Sequence, residues 1–261
     1  MATASIRQQR TLESLTRRIY KRPPVVEALV DIHVTSTLQQ SSASSLRTLL
    51  DSAETRYQEA QELRTGNFAF DAATWATSST PMELEGYRFA SVDGTEVVQV
   101  RHRSLTVSSL APYRGWEALL KATEAHWNRF RAVAHAITVT RIAVRYINRL
   151  SLPYQGVPLA EYLHVVPAIG DSLPNRIGQF LLRLEIVNPG DPGTRLIITE
   201  GRELNPDPAR IFIVLDLDVS RPVEIEPGDS ATLFRSIEDL HTLGNDAFEN
   251  SITDKARALF E

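Results

Sequence analysis

Side chains alternate from Thr140 to Arg149: Ile142, Val144 and Tyr146 take one parity, and Arg141, Ala143, Arg145, Ile147 and Arg149 the other. A β-strand turns its side chain over at every residue, so this run makes a strand with one largely apolar face and one face carrying three arginines. The arginines recur every fourth residue, which spaces their guanidinium groups roughly 13 Å apart along the strand. The arginine face must pair with acids, bind an anion or stand in water, and each outcome implies a different function.

The same period recurs at the start of the chain. Val26, Ala28, Val30, Ile32 and Val34 share one face of a predicted strand over Val25 to Val34, and Glu27, Asp31 and His33 lie on the other. Helix N-caps in Ser41 to Ser45 precede Leu46, Leu49, Leu50, Ala53, Tyr57 and Ala60 at helical spacing. Phe68, Phe70 and Trp75 suggest an irregular strand. Asp93-Gly94 between alternating runs predicts a two-residue type I′ hairpin, with a further strand from Leu105 to Leu110 after a turn near Arg103. Trp116, Leu119, Leu120, Thr123, Trp127 and Phe130 form one helical stripe, read as core. After the arginine strand come a short helix at Leu159 to Val165 and strands at Gln179 to Val187, Arg195 to Glu200 and Arg210 to Val219. A final helix, capped by Asp229 or Ser230, buries Leu233, Ile237, Leu240 and Phe248. Gly244 is expected to weaken or kink it, and Ser251 to Asp254 to restart it.

The order strand, helix, strands, helix occurs twice. The sequence therefore predicts an α+β fold built by tandem duplication, with one antiparallel sheet and helices on one face. Residues 1–22 form a basic N-terminal arm, 23–135 the first half and 136–261 the second, packed as one continuous domain. The pattern is similar to folds of the TATA-binding-protein type, an analogy of architecture alone. In such a duplication the first strands of the halves lie side by side, antiparallel, with Glu27 opposite Arg145 and Asp31 opposite Arg141.

Composition narrows the chemistry. The formal net charge of −4 over 261 residues does not suggest a dedicated nucleic-acid binder. There is no cysteine, which removes disulfides, thiol catalysis and thiolate metal sites and fits a reducing cytoplasm. No apolar run approaches the roughly 18 residues of a membrane span. The arm carries Arg7, Arg10, Arg17, Arg18, Lys21 and Arg22 against Glu13 without the apolar core of a secretory signal, although its content also fits a transit peptide.

Five segments carry a resemblance: Pro23-Pro-Val-Val-Glu-Ala28, Gly86-Tyr-Arg-Phe-Ala-Ser-Val-Asp-Gly94, Leu110-Ala-Pro-Tyr-Arg-Gly-Trp116, Arg145-Tyr-Ile-Asn-Arg149 and Asn245-Asp-Ala-Phe-Glu-Asn-Ser-Ile-Thr-Asp254. Together they resemble a sporadically distributed bacterial family of uncharacterised proteins of about this length. The resemblance implies no activity. The patchy distribution is similar to that of mobile accessory genes, including defence or toxin-associated ones. The polar residues within these segments include Glu27, Arg145, Asn148, Arg149, Glu249 and Thr253.

No catalytic constellation stands out. The six histidines show no close metal-ligand spacing, no glycine-rich phosphate loop follows a strand, and no serine sits in a nucleophile elbow. No catalytic residue, metal or cofactor is assigned. Arg141 and Arg149, with Arg88 and Arg101 on the hairpin, are the candidates to contact a ligand or partner, because a guanidinium fork suits carboxylate and phosphate. Glu27, Asp31, Arg145, Asn148 and Glu249 form a candidate structural polar cluster. Asn148 is expected to cap a strand end or bond the final helix, and Glu249 to meet Asn148 or an arginine. Three functions fit: a non-enzymatic module binding a partner protein or a second copy, nucleic-acid or nucleotide binding on the arginine face, and an enzyme acting on a phosphorylated small molecule. The first is preferred and the second is the alternative.

Overall fold

A computed structural model describes residues 18–37, 40–51, 56–66, 68–71, 76–79, 81–153, 158–167, 178–188, 191–203 and 210–261. The first alternating run forms β1 (Val25–Ser36). A 3-10 segment, Gln40–Arg47, leads into α1 (Thr48–Asp51). Then come β2 (Gln61–Thr65), β3 (Phe68–Asp71), β4 (Ala76–Ser79), β5 (Glu83–Ala90), β6 (Glu96–Arg101), β7 (Ser104–Leu110) and α2 (Trp116–Val133). The arginine run lies in β8 (Ala136–Leu152). A 3-10 turn at Leu159–Glu161, β9 (Leu181–Asn188), β10 (Asp191–Glu203), β11 (Ile211–Ile225), α3 (Ser230–Ser251) and α4 (Asp254–Arg257) complete the chain.

The result is a mixed α+β fold around one nine-stranded antiparallel sheet, in the order β2-β5-β6-β7-β1-β8-β11-β10-β9, with β3 and β4 as a separate hairpin. The first and eighth strands meet antiparallel at its centre. One face is apolar: Ala28, Val30 and Ile32 of β1 and Ile142, Val144 and Tyr146 of β8 are buried with Trp116, Leu119, Trp127 and Phe130 of α2 and Leu233, Ile237 and Leu240 of α3. A second core, with Leu150, Leu152, Ile213, Leu215, Ile252 and Phe260, lies farther along the same strands.

Several local expectations change. The register of the central pair sets Leu29 opposite Arg145, Ala143 opposite Asp31 and Arg141 opposite His33, so Glu27 faces Ile147 rather than Arg145. The helix predicted from Leu46 to Ala60 is helical over Thr48–Asp51 among the described residues and does not reach Arg56. The chain at Arg56–Gln58 instead runs extended beside the end of β5, where Gln58 N–H donates to the Ala90 carbonyl and Val92 N–H to that of Arg56. Ala53 and Trp75 lie outside the described residues, as do residues 1–17 of the arm. At the Asp93-Gly94 hairpin only Gly94 has positive φ, 71°, so the turn is not type I′. Gly94 N–H donates to the Ser91 carbonyl, while the Asp93 carboxylate accepts from the Ser91 hydroxyl and from the N–H and hydroxyl of Thr95. Those bonds hold Asp93 in an ordinary conformation and lengthen the loop. The short helix near Leu159 ends at Glu161, because Leu163 bridges to Ile252 and His164 N–H donates to the Ser251 carbonyl.

The last helix follows its signals. Asp229 caps it, accepting from the Thr232 N–H at 3.0 Å, and Thr253 caps α4. Gly244 does not interrupt α3. A Cβ there would lie 3.3 Å from the Tyr146 ring, so the glycine lets strand and helix approach.

Candidate functional site

Because strand parity separates the faces, β8 presents two candidate sites back to back. On the outer face lie Arg141, Arg145 and Arg149, and each has an acidic partner. Arg141 Nη1 donates to Asp31 Oδ2 at 2.9 Å. Asp31 also accepts from the Thr106 hydroxyl at 2.8 Å and lies 2.8 Å from His33 Nε2. Burial would raise the Asp31 carboxyl, but the bonds from His33 and Thr106 and the charges of His33 and Arg141 hold it below the usual range. Arg145 makes a two-pronged contact with Asp216 on β11, Nε to Oδ1 at 2.8 Å and Nη2 to Oδ2 at 2.5 Å. Arg149 grips Glu203 of β10 at 2.6 and 3.1 Å and stacks over Phe212, 3.8 Å from the ring centroid.

The pairing of Arg145 with Glu27 is therefore corrected. Asp216 is within reach of both guanidinium nitrogens, and Glu27 contributes only longer-range attraction. Arg88 and Arg101 share the outer face but lie apart from the central arginines. Arg101 is separated from Arg141 by β7 and β1, roughly 14 Å away across the sheet, and Arg88 by one strand more. Arg88 donates to Gln61 at 3.1 Å; Arg101 donates to Gln99 at 3.2 Å and lies 3.4 Å from Glu85.

Arg145→Ala should cost about 1–2 kcal/mol of stability. It leaves Asp216, 14% exposed, beside Asp218, whose carboxyl burial already raises. Half-exposure of the arginine puts the loss between that of a surface pair and a buried one. Glu27→Ala should be nearly neutral. Urea unfolding of both variants checks this, and equal midpoints would contradict it.

On the opposite face, Tyr146 and Asn148 open into a cleft of about 590 Å³ between the N-terminal segment, the start of α2 and the middle of α3. Its inner wall is polar and aromatic together. The His241 imidazole, 4% exposed, stacks on the Trp116 indole at 3.9 Å between centroids and 6° between planes. It shares a 2.5 Å hydrogen bond with the Tyr146 hydroxyl through Nδ1 and a 3.0 Å bond with the Asn245 amide through Nε2. A neutral imidazole donates through one nitrogen and accepts through the other, so these three side chains form one polar chain. Asn148 Nδ2 donates to the Leu215 carbonyl at 3.1 Å, so it ties β8 to β11 rather than to the final helix. Glu249 accepts from the Tyr20 hydroxyl at 2.7 Å and from Arg257 Nε at 2.8 Å, matching the expected arginine partner. Asp246, also on the wall, accepts from the Asn250 amide through its backbone carbonyl at 2.7 Å; its carboxylate has no hydrogen bond or ion pair among the described residues, and burial raises it. Four of the five segments singled out by resemblance contribute to this cleft: Pro23 and Pro24, Tyr113 to Trp116, Tyr146 and Asn148, and Asn245 to Glu249.

Sequence reasoning missed His241, Asp216 and Glu200. His241 lies one position beyond Leu240 in the apolar stripe of α3, a visible signal for a buried histidine. Asp216 and Asp218 alternate with Leu215 and Leu217, which marks them as outer-face residues but not as neighbours of β8. Among the described residues no three histidine or carboxylate side chains gather as metal ligands would, and no helix is long and apolar enough to cross a membrane. Tested against known proteins, the sequence matches no family model and no curated protein.

Proposed function

We propose that this chain is a non-enzymatic binding module that docks a partner protein on the outer face of its sheet. The carrying observation is charge balance. Across the three central strands, three arginines (Arg141, Arg145, Arg149) share the outer face with four acids (Glu27, Asp31, Asp216, Asp218). A polyanion needs a net positive surface, because its affinity comes from cation–phosphate contacts and counterion release. Paired charges of both signs suit a folded protein whose own charges alternate, where they fix register and exclude wrong partners. Arg141 and Arg149 remain 38% and 39% exposed and are the residues offered to that partner.

The strand order supports the reading as a duplication. Going outward from the centre, each half presents its first strand, then its last, then the one before it. Membership of the sporadic bacterial family, with a partner encoded in the same accessory system, is part of the same proposal and rests on the five segments quoted above.

The test is native mass spectrometry of the protein purified at low salt from its own host, beside the Arg141→Ala/Arg149→Ala variant. The expected result is a stoichiometric second protein that the double variant loses while keeping its fold. Co-purified nucleic acid released by salt would favour the anion-binding alternative. A homodimer that the variant dissociates would make the partner a second copy. A complex indifferent to both substitutions would remove the outer face from consideration.

A further inference from the structure

We propose that the protein forms a twofold-symmetric dimer by pairing the free edge of β9 with the same edge of a second copy, which joins the two sheets into one. β9 ends the nine-stranded sheet and has a neighbour, β10, on one side only. A strand edge with open backbone groups is a template for another strand, and natural edges are kept short, charged or covered to prevent it. The opposite edge obeys that rule. β2 has five residues, Gln-Glu-Leu-Arg-Thr, and Arg64 pairs with Glu62 at 2.8 Å along it. β9 does not. Its eight residues include Leu181, Ile186 and Val187 at 77%, 44% and 54% exposure.

The backbone decides which groups β9 offers. Arg202 N–H donates to the Phe180 carbonyl, one step beyond the pairing of Gly201 with Leu181. Opposite residues in an antiparallel ladder alternate between bonded and non-bonded pairs. Leu182, Leu184 and Ile186 therefore bond β10, and Leu181, Arg183, Glu185 and Val187 turn their N–H and C=O groups to the free edge.

In a twofold antiparallel pair through this edge, outward residues must bond outward residues. A register centred on Arg183 or on Glu185 sets like charges opposite each other at the axis, which is unfavourable. The register centred on Leu184 sets Arg183 opposite Glu185 of the second copy, and Leu181 opposite Val187 of the second copy, each twice. Within β9 it is also the register that pairs all four outward residues. On the other face Leu184 meets its own copy and Leu182 meets Ile186 of the second copy, so the apolar row continues. β9 is thus complementary to itself read backwards in charge, in apolar contact and in hydrogen-bond parity. Both charges are available: Glu185 has a loose pair with Arg195 at 3.5 Å, and Arg183 has no ion pair among the described residues.

The experiment is sedimentation equilibrium of the full chain from about 1 to 100 µM, where the expected result is a dimer with Kd below about 50 µM. Arg183→Glu and Glu185→Arg each set like charges opposite, twice, and should each weaken dimerisation on the order of tenfold or more. Both positions are exposed, so the unfolding midpoints of the dilute monomers should match the parent's. The two variants mixed in equal amounts should associate as tightly as the parent, because the acids of one then face the arginines of the other. Amide exchange at Arg183 and Glu185 should slow on dimerisation. Arg141→Ala/Arg149→Ala should leave the dimer intact, so this inference and the outer-face reading fail separately. A monomer at about 100 µM, a dimer undiminished in either charge variant, a mixture no tighter than its components, or a dimer lost in Arg141→Ala/Arg149→Ala would each overturn the proposal.

Discussion

Glu200→Met should stabilise this protein by roughly 2–3 kcal/mol at pH 8 and by much less at pH 5. Glu200 has the parity of Leu196 and Ile198 on β10 and stands opposite Leu215 and Leu182 in the neighbouring strands. It is 0% exposed, and neither carboxylate oxygen has a hydrogen-bond partner among the described residues. Burial pushes its pKa from 4.5 up to about 7. Below the unfolded value both states are protonated, and only the smaller cost of an unpartnered neutral carboxyl remains. As pH rises through the folded value, the native state must either keep a proton that the unfolded chain has released or hold a bare charge. Stability is therefore lost between about pH 4.5 and 7, and the full penalty stands above 7. Methionine follows the same unbranched path without the charge. Urea unfolding of both proteins at the two pH values measures the difference, and the other titrating groups cancel in it. An equal effect at both pH values would mean that Glu200 is charged or paired throughout.

Gly86→Ala should cost about 3 kcal/mol and loosen the β5–β6 pairing. Gly86 lies opposite Arg101. A Cβ built on it would sit 1.9 Å from the Val100 carbonyl oxygen and 2.8 Å from the Arg101 Cα. Both atoms belong to backbone, so no side chain can swing aside and the strands must part. Gly228→Ala is the control, because a Cβ there meets nothing within 4 Å. Denaturation midpoints and amide exchange of β5 and β6 separate the two variants. Matching stabilities would mean that the strands are not so closely apposed.

Which side chains face inward was legible, because a period of two leaves little choice. Ala28, Val30 and Ile32, and Ile142, Val144 and Tyr146, are buried as their parity predicts. The register between these strands was not legible. A slip of one residue would turn every side chain to the wrong face, but a slip of two preserves both faces and is invisible to the pattern. That is why β1 and β8 pair as expected while Arg145 takes Asp216 instead of Glu27. The outer-face acids of β11 could be read as a set, but only the strand order makes them neighbours of the arginines. The cleft is less legible still. Its walls come from the N-terminal segment, the turn before α2 and the middle of α3, and no local pattern reports that these three converge.

The central pairing also orders events during synthesis. Asp31 and Arg141, joined across β1 and β8, are 110 residues apart. β7 and α2 precede β8 in the chain and cover one edge and one face of β1. Its other edge, with a full row of backbone donors and acceptors, has no partner until β8 leaves the ribosome. At translation rates of about 5–20 residues per second that interval lasts roughly 5–20 s. For those seconds the nascent first half carries an open apolar strand edge, a template that other chains can join, and the arrival of β8 closes it.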